Sequence, residues 1–182
     1  MTVNGVAAAT AAVRDLYAPA GLRLTAAIAA EAESADYGAC RFALDGRTAV
    51  FRMAKITPTK TGQFVTVWKR PAPDAEIAPL DADDDVQFVV IEVADGAQRG
   101  QFVFSRELLM RHGVMSRGGK GGKRAIRVYP PWSAPTARQA VQTQHWQLRS
   151  FVEMTADGRA AVPERLQALL RELAGPIHAM RG

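Results

Sequence analysis

The sequence contains little cysteine and no long apolar run. Cys40 is the only cysteine among the 182 residues, which excludes an internal disulfide and a zinc site built on cysteines. No stretch reaches the roughly 18 consecutive apolar residues that a membrane-spanning helix requires. The first residues include Arg14 and Asp15, where a secretory signal would remain apolar. We therefore expect a cytoplasmic location and no membrane association.

Motifs for metal-dependent or nucleophilic catalysis are missing as well. The three histidines, His112, His145 and His178, do not have the spacing of metal ligands. A phosphate-binding P-loop is excluded, because Lys123 in the glycine-rich segment is followed by Arg124 and not by Ser or Thr. We expect no metal and no cofactor, and we do not expect an enzyme.

Charged residues are segregated along the chain, whose formal net charge is +5. Residues 41–70 are basic apart from Asp45, residues 74–95 carry only acidic charge, and residues 99–127 are again basic apart from Glu107. Such segregation favours one basic surface that attracts a polyanion. The alternative is that acidic and basic segments are neighbours in the fold and neutralise each other.

Hydrophobic patterning predicts a single domain of the α+β class over residues 1–182. Helical spacing of apolar residues predicts helices at 6–17, 24–33, 105–113, 136–152 and 163–173. Strands are predicted at 39–44, 47–55, 62–69, 86–93, 101–104 and 125–129, with a hairpin turn at Asp45-Gly46. We expect a mixed, mostly antiparallel, twisted sheet flanked by helices, with its core at about residues 22–155.

Four segments of the chain resemble the MepB-like family. They are FRMAKITPTKTGQFVTVWKR at residues 51–70, GQFVF at 100–104, GGKRAIRVYPPW at 121–132 and TQHWQLRSF at 143–151. They occur in the family's order and at similar separations, so the resemblance covers roughly residues 30–155. It implies a small cytosolic bacterial protein with a mixed α/β fold, and it implies no particular chemistry.

The order of elements around residues 31–55 is also similar to the restriction-endonuclease-like core of a PD-(D/E)XK nuclease. In such a site two acids on neighbouring strands hold Mg²⁺, and a lysine two residues after the second acid positions the attacking water. Asp36 and Lys55 match this layout, but Met53 stands at the second acid, and a thioether is a poor ligand for Mg²⁺. The site is therefore either vestigial or active through a relocated acid such as Glu33.

Basic and aromatic residues that are close in sequence indicate a site for phosphates and bases. Lys55 is a lone cation near the end of an apolar strand, so it contacts either water or an anion. The glycine-rich loop at 116–127 is expected to be flexible and to follow a phosphate backbone. Aromatic rings beside cations are typical of single-strand and nucleotide binding. Gln144, on the apolar face of its helix, is expected to bind backbone or ligand. We predict phosphate contacts from Lys55, Lys69, Arg70, Lys123 and Arg127, and stacking from Tyr129, Trp132 and Trp146.

The resulting hypothesis is a non-catalytic or vestigially catalytic domain that binds nucleic acid or a nucleotide. Two alternatives stay open. One is a metal-dependent nuclease or phosphoesterase, and the other is a protein-interaction module whose acidic segment at 74–95 docks a basic partner. Salt dependence separates the binding of a polyanion from a protein interaction, and magnesium dependence separates binding from cleavage.

Overall fold

Eleven strands and four α-helices form between residues 4 and 174, the part of the chain that this computed structural model describes. The helices are α1 (Gly5–Ala12), α2 (Arg106–Arg111), α3 (Arg138–Leu148) and α4 (Pro163–Ala174), with a π-helical turn at Val13–Tyr17 and a 3-10 turn at Ala35–Tyr37. The strands are β1 (Leu24–Ala30), β2 (Cys40–Leu44), β3 (Arg47–Met53), β4 (Lys55–Thr57), β5 (Lys60–Thr66), β6 (Trp68–Lys69), β7 (Ala78–Pro79), β8 (Phe88–Asp95), β9 (Gln98–Ser105), β10 (Ala125–Val128) and β11 (Phe151–Met154). None of the helices in this part of the chain is long and apolar enough to cross a bilayer.

The largest sheet has six strands in the order β1-β2-β3-β8-β9-β11. Its neighbouring strands are antiparallel except β3 and β8, which run parallel from the pair Ala49 and Phe88 to the pair Met53 and Glu92. A parallel pair needs a long crossover connection, which residues 54–87 provide. The α+β class and the mixed, mostly antiparallel sheet that the sequence predicts are confirmed.

Each face of the six-stranded sheet is covered by a hydrophobic cluster, because alternate residues of a strand point to opposite sides. On one face α1, the π-helical turn and α4 pack over buried residues that include Phe42, Phe51 and Val103. Cys40 lies in this cluster, where burial raises the pKa of its thiol to about 12. The cysteine is therefore an unreactive core residue.

A three-stranded sheet in the order β10-β5-β4 packs on the other face. From it Val65, Ile126 and Val128 point into the second cluster, which also contains Val89 and Phe102 of the larger sheet. Strands β4 and β5 lie within the crossover between β3 and β8, and β6 and β7 form a separate two-stranded ribbon there. The opposite face of the three-stranded sheet is open and carries the candidate site.

The segment predicted as an alanine-rich helix at 24–33 is strand β1 instead. Alanine favours helix, but the hydrogen-bonding edge of β2 needs a partner, and β1 supplies it. Main-chain hydrogen bonds fix both ends of the pairing: Asp45 N donates to Arg23 O, and Glu31 N donates to Ala39 O, each at 2.9 Å. Tertiary pairing overrides local propensity in this segment.

The helix predicted at 136–152 ends earlier, at Leu148. Ser150 closes a tight turn, after which the chain enters β11 and Phe151 pairs with Phe102 of β9. Phe151 continues the apolar spacing of the helix beyond its true end, so periodicity alone extends the prediction too far. Three local predictions are confirmed: the hairpin at Asp45-Gly46, the helix capped by Ser105 and the helix that begins at Pro163.

Candidate functional site

One row of side chains crosses the open face of the three-stranded sheet. Phe64 of β5 lies opposite both Lys55 of β4 and Arg127 of β10, and directly opposed residues point to the same face. The guanidinium carbon of Arg127 is 5.9 Å from the centre of the Phe64 ring. The ammonium of Lys55 is 4.5 Å from the centre of the Tyr37 ring, which meets Phe64 edge-on. Lys55 and Arg127 therefore lie on one surface, as the hypothesis of a basic surface requires.

Three uncharged oxygen atoms hold Arg127 in place. Its Nη2 donates to Thr57 Oγ1 at 2.7 Å, and its Nη1 is 3.4 Å from the carbonyl oxygens of both Thr61 and Gly62. The side chain is half-buried, so its direction is fixed by these contacts. Because none of the three acceptors is charged, the guanidinium keeps its positive charge for an anion in the adjoining space.

Helix α3 closes the free edge of β10 through one side chain. Gln147 is 1% exposed. Its Oε1 accepts from Tyr129 N and its Nε2 donates to Arg127 O, each at 2.9 Å. The amide acts in place of a neighbouring strand, because it satisfies one donor and one acceptor at the edge of the sheet. This contact fixes α3 beside the open face and leaves a cleft between them.

The cleft has a volume of about 960 Å³ and two chemically different walls. The sheet wall carries three cations and two aromatic rings: Lys60, Lys123, Arg127, Phe64 and Tyr129. The α3 wall is mostly uncharged and polar, with Gln139, Gln142, Thr143, His145 and Trp146. None of the described residues that line the cleft is acidic. This arrangement can hold an anion against the sheet while the helix offers hydrogen bonds.

A buried carboxylate fastens the glycine-rich loop that leads to β10. Asp81 accepts from Ser116 Oγ at 2.6 Å and from Gly119 N at 2.9 Å. These hydrogen bonds, that of Ser116 above all, hold the pKa of Asp81 below its usual range. Arg117 and Lys120 exchange main-chain hydrogen bonds at 3.0 Å across the turn. These hydrogen bonds form a turn in the glycine-rich loop, directly before β10.

Two of the predicted phosphate contacts lie outside the cleft and are paired with acids. Lys69 forms an ion pair with Asp84. Arg70 pairs with Glu33 at 3.1 Å, and its guanidinium carbon is 5.8 Å from the centre of the Trp68 ring. Since Asp84 belongs to the acidic segment, mutual neutralisation of basic and acidic segments does occur at Lys69. Lys69 and Arg70 are therefore not part of the candidate site.

Two of the predicted stacking residues, Tyr129 and Trp146, line the cleft. The indole of Trp146 stacks on His112 with 4.1 Å between ring centres and 5° between ring planes, so one of its faces is covered. Burial, and then the charge of Arg111, lowers the pKa of His112, which favours a neutral imidazole in this stack. The ring of Tyr129 lies over Gly62 and lines the cleft.

Trp132 and Gln144 support the cleft from behind and do not line it. Trp132 meets Phe151 edge-on, with 5.8 Å between ring centres, and packs against the second hydrophobic cluster. Gln144 Nε2 donates to Pro130 O at 3.1 Å and to Ser133 O at 2.9 Å. Of the two roles that the sequence allows for Gln144, the structure thus shows the bond to backbone.

The arrangement expected of a metal-dependent nuclease is not assembled in the described part of the chain. Asp36 is exposed in the 3-10 turn, Lys55 lies over an aromatic ring, and Glu33 is paired with Arg70. Within residues 4–174, no group of three or more His, Cys, Asp or Glu side chains is placed to hold a metal ion. His178 lies outside the described residues. The segment predicted as a helix before Asp36 is strand β1, so this part of the predicted layout is wrong.

Pattern reasoning does not single out Lys60, Phe64, Gln147 or Asp81, although all four shape the site. A signal exists for Phe64, which alternates along β5 with Val65 and so belongs to the face opposite the core. No local signal marks Gln147 or Asp81, because their hydrogen-bond partners are 18 to 38 residues away along the chain.

Comparison with known proteins places this chain in a family. The family model described as MepB-like matches residues 31–153, which include the strands of the three-stranded sheet and the whole of α3. The chain belongs to the MepB-like family. A crystal structure of MepB has 36% sequence identity to it and a TM-score of 0.66, over 69% of this chain and 84% of that one. No curated protein sequence matches the chain.

Proposed function

We propose that the protein binds the phosphate groups of nucleic acid or of a nucleotide in the cleft between α3 and the three-stranded sheet, and does not cleave its ligand. One observation supports this most: Lys60, Lys123 and Arg127 share a surface with aromatic rings, and no acid is among the described lining residues. Cations without an acidic partner hold phosphates by charge, and rings hold bases by stacking. Lys55 extends the same surface along β4.

Titration of a fluorescently labelled single-stranded oligonucleotide, followed by anisotropy, tests the proposal. Non-specific nucleic-acid binding typically has a Kd of about 10⁻⁴ to 10⁻⁶ M at physiological salt and weakens steeply as salt rises. We expect binding at low salt, with a log–log salt slope that falls by about 0.7 for each phosphate contact removed from a single strand. Lys60→Ala and Lys123→Ala should each weaken binding and reduce this slope.

Arg23→Ala is the matched control, because it removes an exposed cation that precedes β1 and does not line the cleft. This variant should change neither the affinity nor the slope. Absence of binding at low salt, or an affinity that is independent of salt, would contradict the proposal. Equal losses in all three variants would show that net charge, and not the cleft, determines binding.

The proposal assigns no catalytic step to Asp36 and Lys55, because Met53 stands where a nuclease needs its second acid. Incubation of a plasmid and of a labelled oligonucleotide with Mg²⁺ should give no cleavage above background. Cleavage that disappears in both Asp36→Ala and Lys55→Ala would replace the proposal by a metal-dependent nuclease with a relocated acid.

The acidic segment at 74–95 offers less support for a protein-interaction module. Asp81, Asp84 and Glu92 bind Ser116, Lys69 and Arg99 respectively within the fold. Charges that are paired internally attract a basic partner weakly. The cations of the cleft have no such acidic neighbours in its described lining, so the cleft is the stronger candidate.

A further inference from the structure

The imidazole of His112 is held flat at the wall of the cleft. His112 follows α2 directly and lines the cleft. Its ring stacks on Trp146, with 4.1 Å between ring centres. The residue is half-buried, and within residues 4–174 neither ring nitrogen takes part in a hydrogen bond or an ion pair. Because stacking uses the face of a ring and leaves its edge, both nitrogens are accessible to a ligand in the cleft.

Charges near this ring oppose its protonation in the absence of a ligand. Burial, and then the charge of Arg111 on α2, lowers the pKa of His112. The other elements that form the cleft contribute the basic residues Lys60, Lys123, Arg127 and His145. No acid lies among the described lining residues to offset them. A bound anion would supply the missing negative charge and favour the protonated ring.

We infer, on the basis of the proposed function, that His112 is a further ligand-binding residue of the cleft and contacts the anion as an imidazolium. A neutral imidazole has one N–H donor and one acceptor, whereas an imidazolium has two donors and a positive charge. Ionised phosphate oxygens accept hydrogen bonds, most strongly from a charged donor. Binding therefore takes up one proton from water, at the ring nitrogen that was unprotonated. The indole of Trp146 supports the new charge, since the face of an indole ring attracts a cation.

The pH dependence of affinity tests this inference. The ligand is a labelled thymidine oligonucleotide without a terminal phosphate, because its bases and phosphodiesters do not titrate near neutral pH. In anisotropy titrations at low salt, binding should be about three- to tenfold tighter at about pH 5.5 than at about pH 8. The increase should not exceed about tenfold per pH unit, the limit for one titrating group.

Nuclear magnetic resonance shows whether His112 itself takes up the proton. Its ring-proton signals are identified by their loss in His112→Phe, and their shifts are followed against pH. The ligand should raise the pKa of His112 by the same factor by which protonation raises the affinity, because the coupling is reciprocal. A histidine that only supports Trp146 would titrate at the same pH with and without the oligonucleotide.

Three variants connect the proton to one ring. His112→Phe keeps a ring against Trp146, His112→Gln keeps a hydrogen-bond donor, and neither side chain titrates. Both variants should bind with an affinity that no longer changes with pH. His145→Phe removes the other histidine of the described lining and should keep the pH dependence of the parent protein. Circular dichroism and thermal unfolding at each pH check that the variants are folded.

The possible outcomes separate this inference from the proposed function. The inference is overturned, and the proposed function stands, if the oligonucleotide binds with the same affinity at every pH or leaves the titration of His112 unchanged. A pH dependence that persists in both His112 variants, or that disappears in His145→Phe, also overturns the inference alone. If no binding occurs at low salt at any pH, the inference and the proposed function fail together.

Discussion

The ring of Tyr129 lies across Gly62 so closely that a Cβ at Gly62 would be 2.7 Å from two of its carbon atoms. The same Cβ would be 2.9 Å from Val128 O of β10, so in Gly62→Ala we expect both the ring and the edge of β10 beside it to shift. Affinity for a single strand should fall by about 1 to 3 kcal/mol, the contribution of one base stacked on an aromatic ring. The measurement is an anisotropy titration at low salt.

Gly96→Ala is the matched control for backbone strain. Gly62 and Gly96 both have positive φ, 80° and 57°, but nothing lies within 4 Å of a Cβ at Gly96. This variant should lose stability through strain alone and keep its affinity. If both variants bind equally well, Tyr129 does not contribute to binding.

Loss of the Gln147 amide should separate α3 from β10. Gln147→Ala leaves Tyr129 N and Arg127 O without partners, and each buried polar group left in this way costs about 1 to 3 kcal/mol. We expect the free energy of unfolding in urea to fall by about 2 to 6 kcal/mol. Gln142→Ala, at an exposed position of the same helix, should stay within about 0.5 kcal/mol of the parent protein. Equal losses of stability in Gln147→Ala and Gln142→Ala would contradict the contact between Gln147 and the edge of β10.

Glu31 neutralises a guanidinium inside the fold. The side chain of Arg52 is 2% exposed, and its Nη2 is 3.0 Å from Glu31 Oε2. In Glu31→Ala the buried charge loses its partner, which typically costs about 3 to 5 kcal/mol. Glu33→Ala is the control, since Glu33 pairs with Arg70 nearer the surface, where such pairs contribute at most about 1 kcal/mol. Urea denaturation that ranks Glu33→Ala as the more damaging change would contradict this account.

Acid should loosen the turn that Asp81 holds. Hydrogen bonds from Ser116, and from the main chain of Gly119 and Asp83, lower the pKa of Asp81. A carboxyl group whose pKa is lowered by folding stabilises the fold fully above its unfolded pKa, about 3.9, and this stabilisation is lost as pH falls through the folded value. Below about pH 4 the melting temperature should therefore fall, and Asp81→Asn should remove part of this fall.

Asp83→Asn is the control for this titration, because the Asp83 side chain is exposed and only its main-chain N–H contacts Asp81. Its melting temperature should follow the parent protein at every pH. The same pH profile in the parent protein and in Asp81→Asn would show that Asp81 does not fasten the turn.

Elements whose ends are marked by their own residues could be predicted from the sequence. Asp45-Gly46 marks a hairpin, Ser105 caps α2 and Pro163 begins α4. Strand β1 could not be predicted in this way, because its alanines favour helix locally. This segment forms a strand because it pairs with the edge of β2, and local periodicity carries no information about that pairing.

The candidate site could be predicted where its members are close in sequence. Lys123, Arg127 and Tyr129 lie within seven residues of each other, so one short segment brings them to the cleft. Lys69 and Arg70 have the same local pattern of cations beside an aromatic ring, but they pair with acids 15 and 37 residues away. The sequence shows that these acids are present, but it does not show which cation each of them neutralises.

The crossover between β3 and β8 also determines when the cleft can exist during folding. Hairpins such as β2–β3 and β8–β9 close short loops, whereas the β3–β8 pair must close residues 54–87 first. The pairing of β5 with β10 closes a still longer loop, between Thr66 and Ala125. Because longer loops cost more entropy to close, a chain with only its hairpins formed has no cleft. Acquisition of oligonucleotide binding during refolding would therefore report the pairing of β5 with β10.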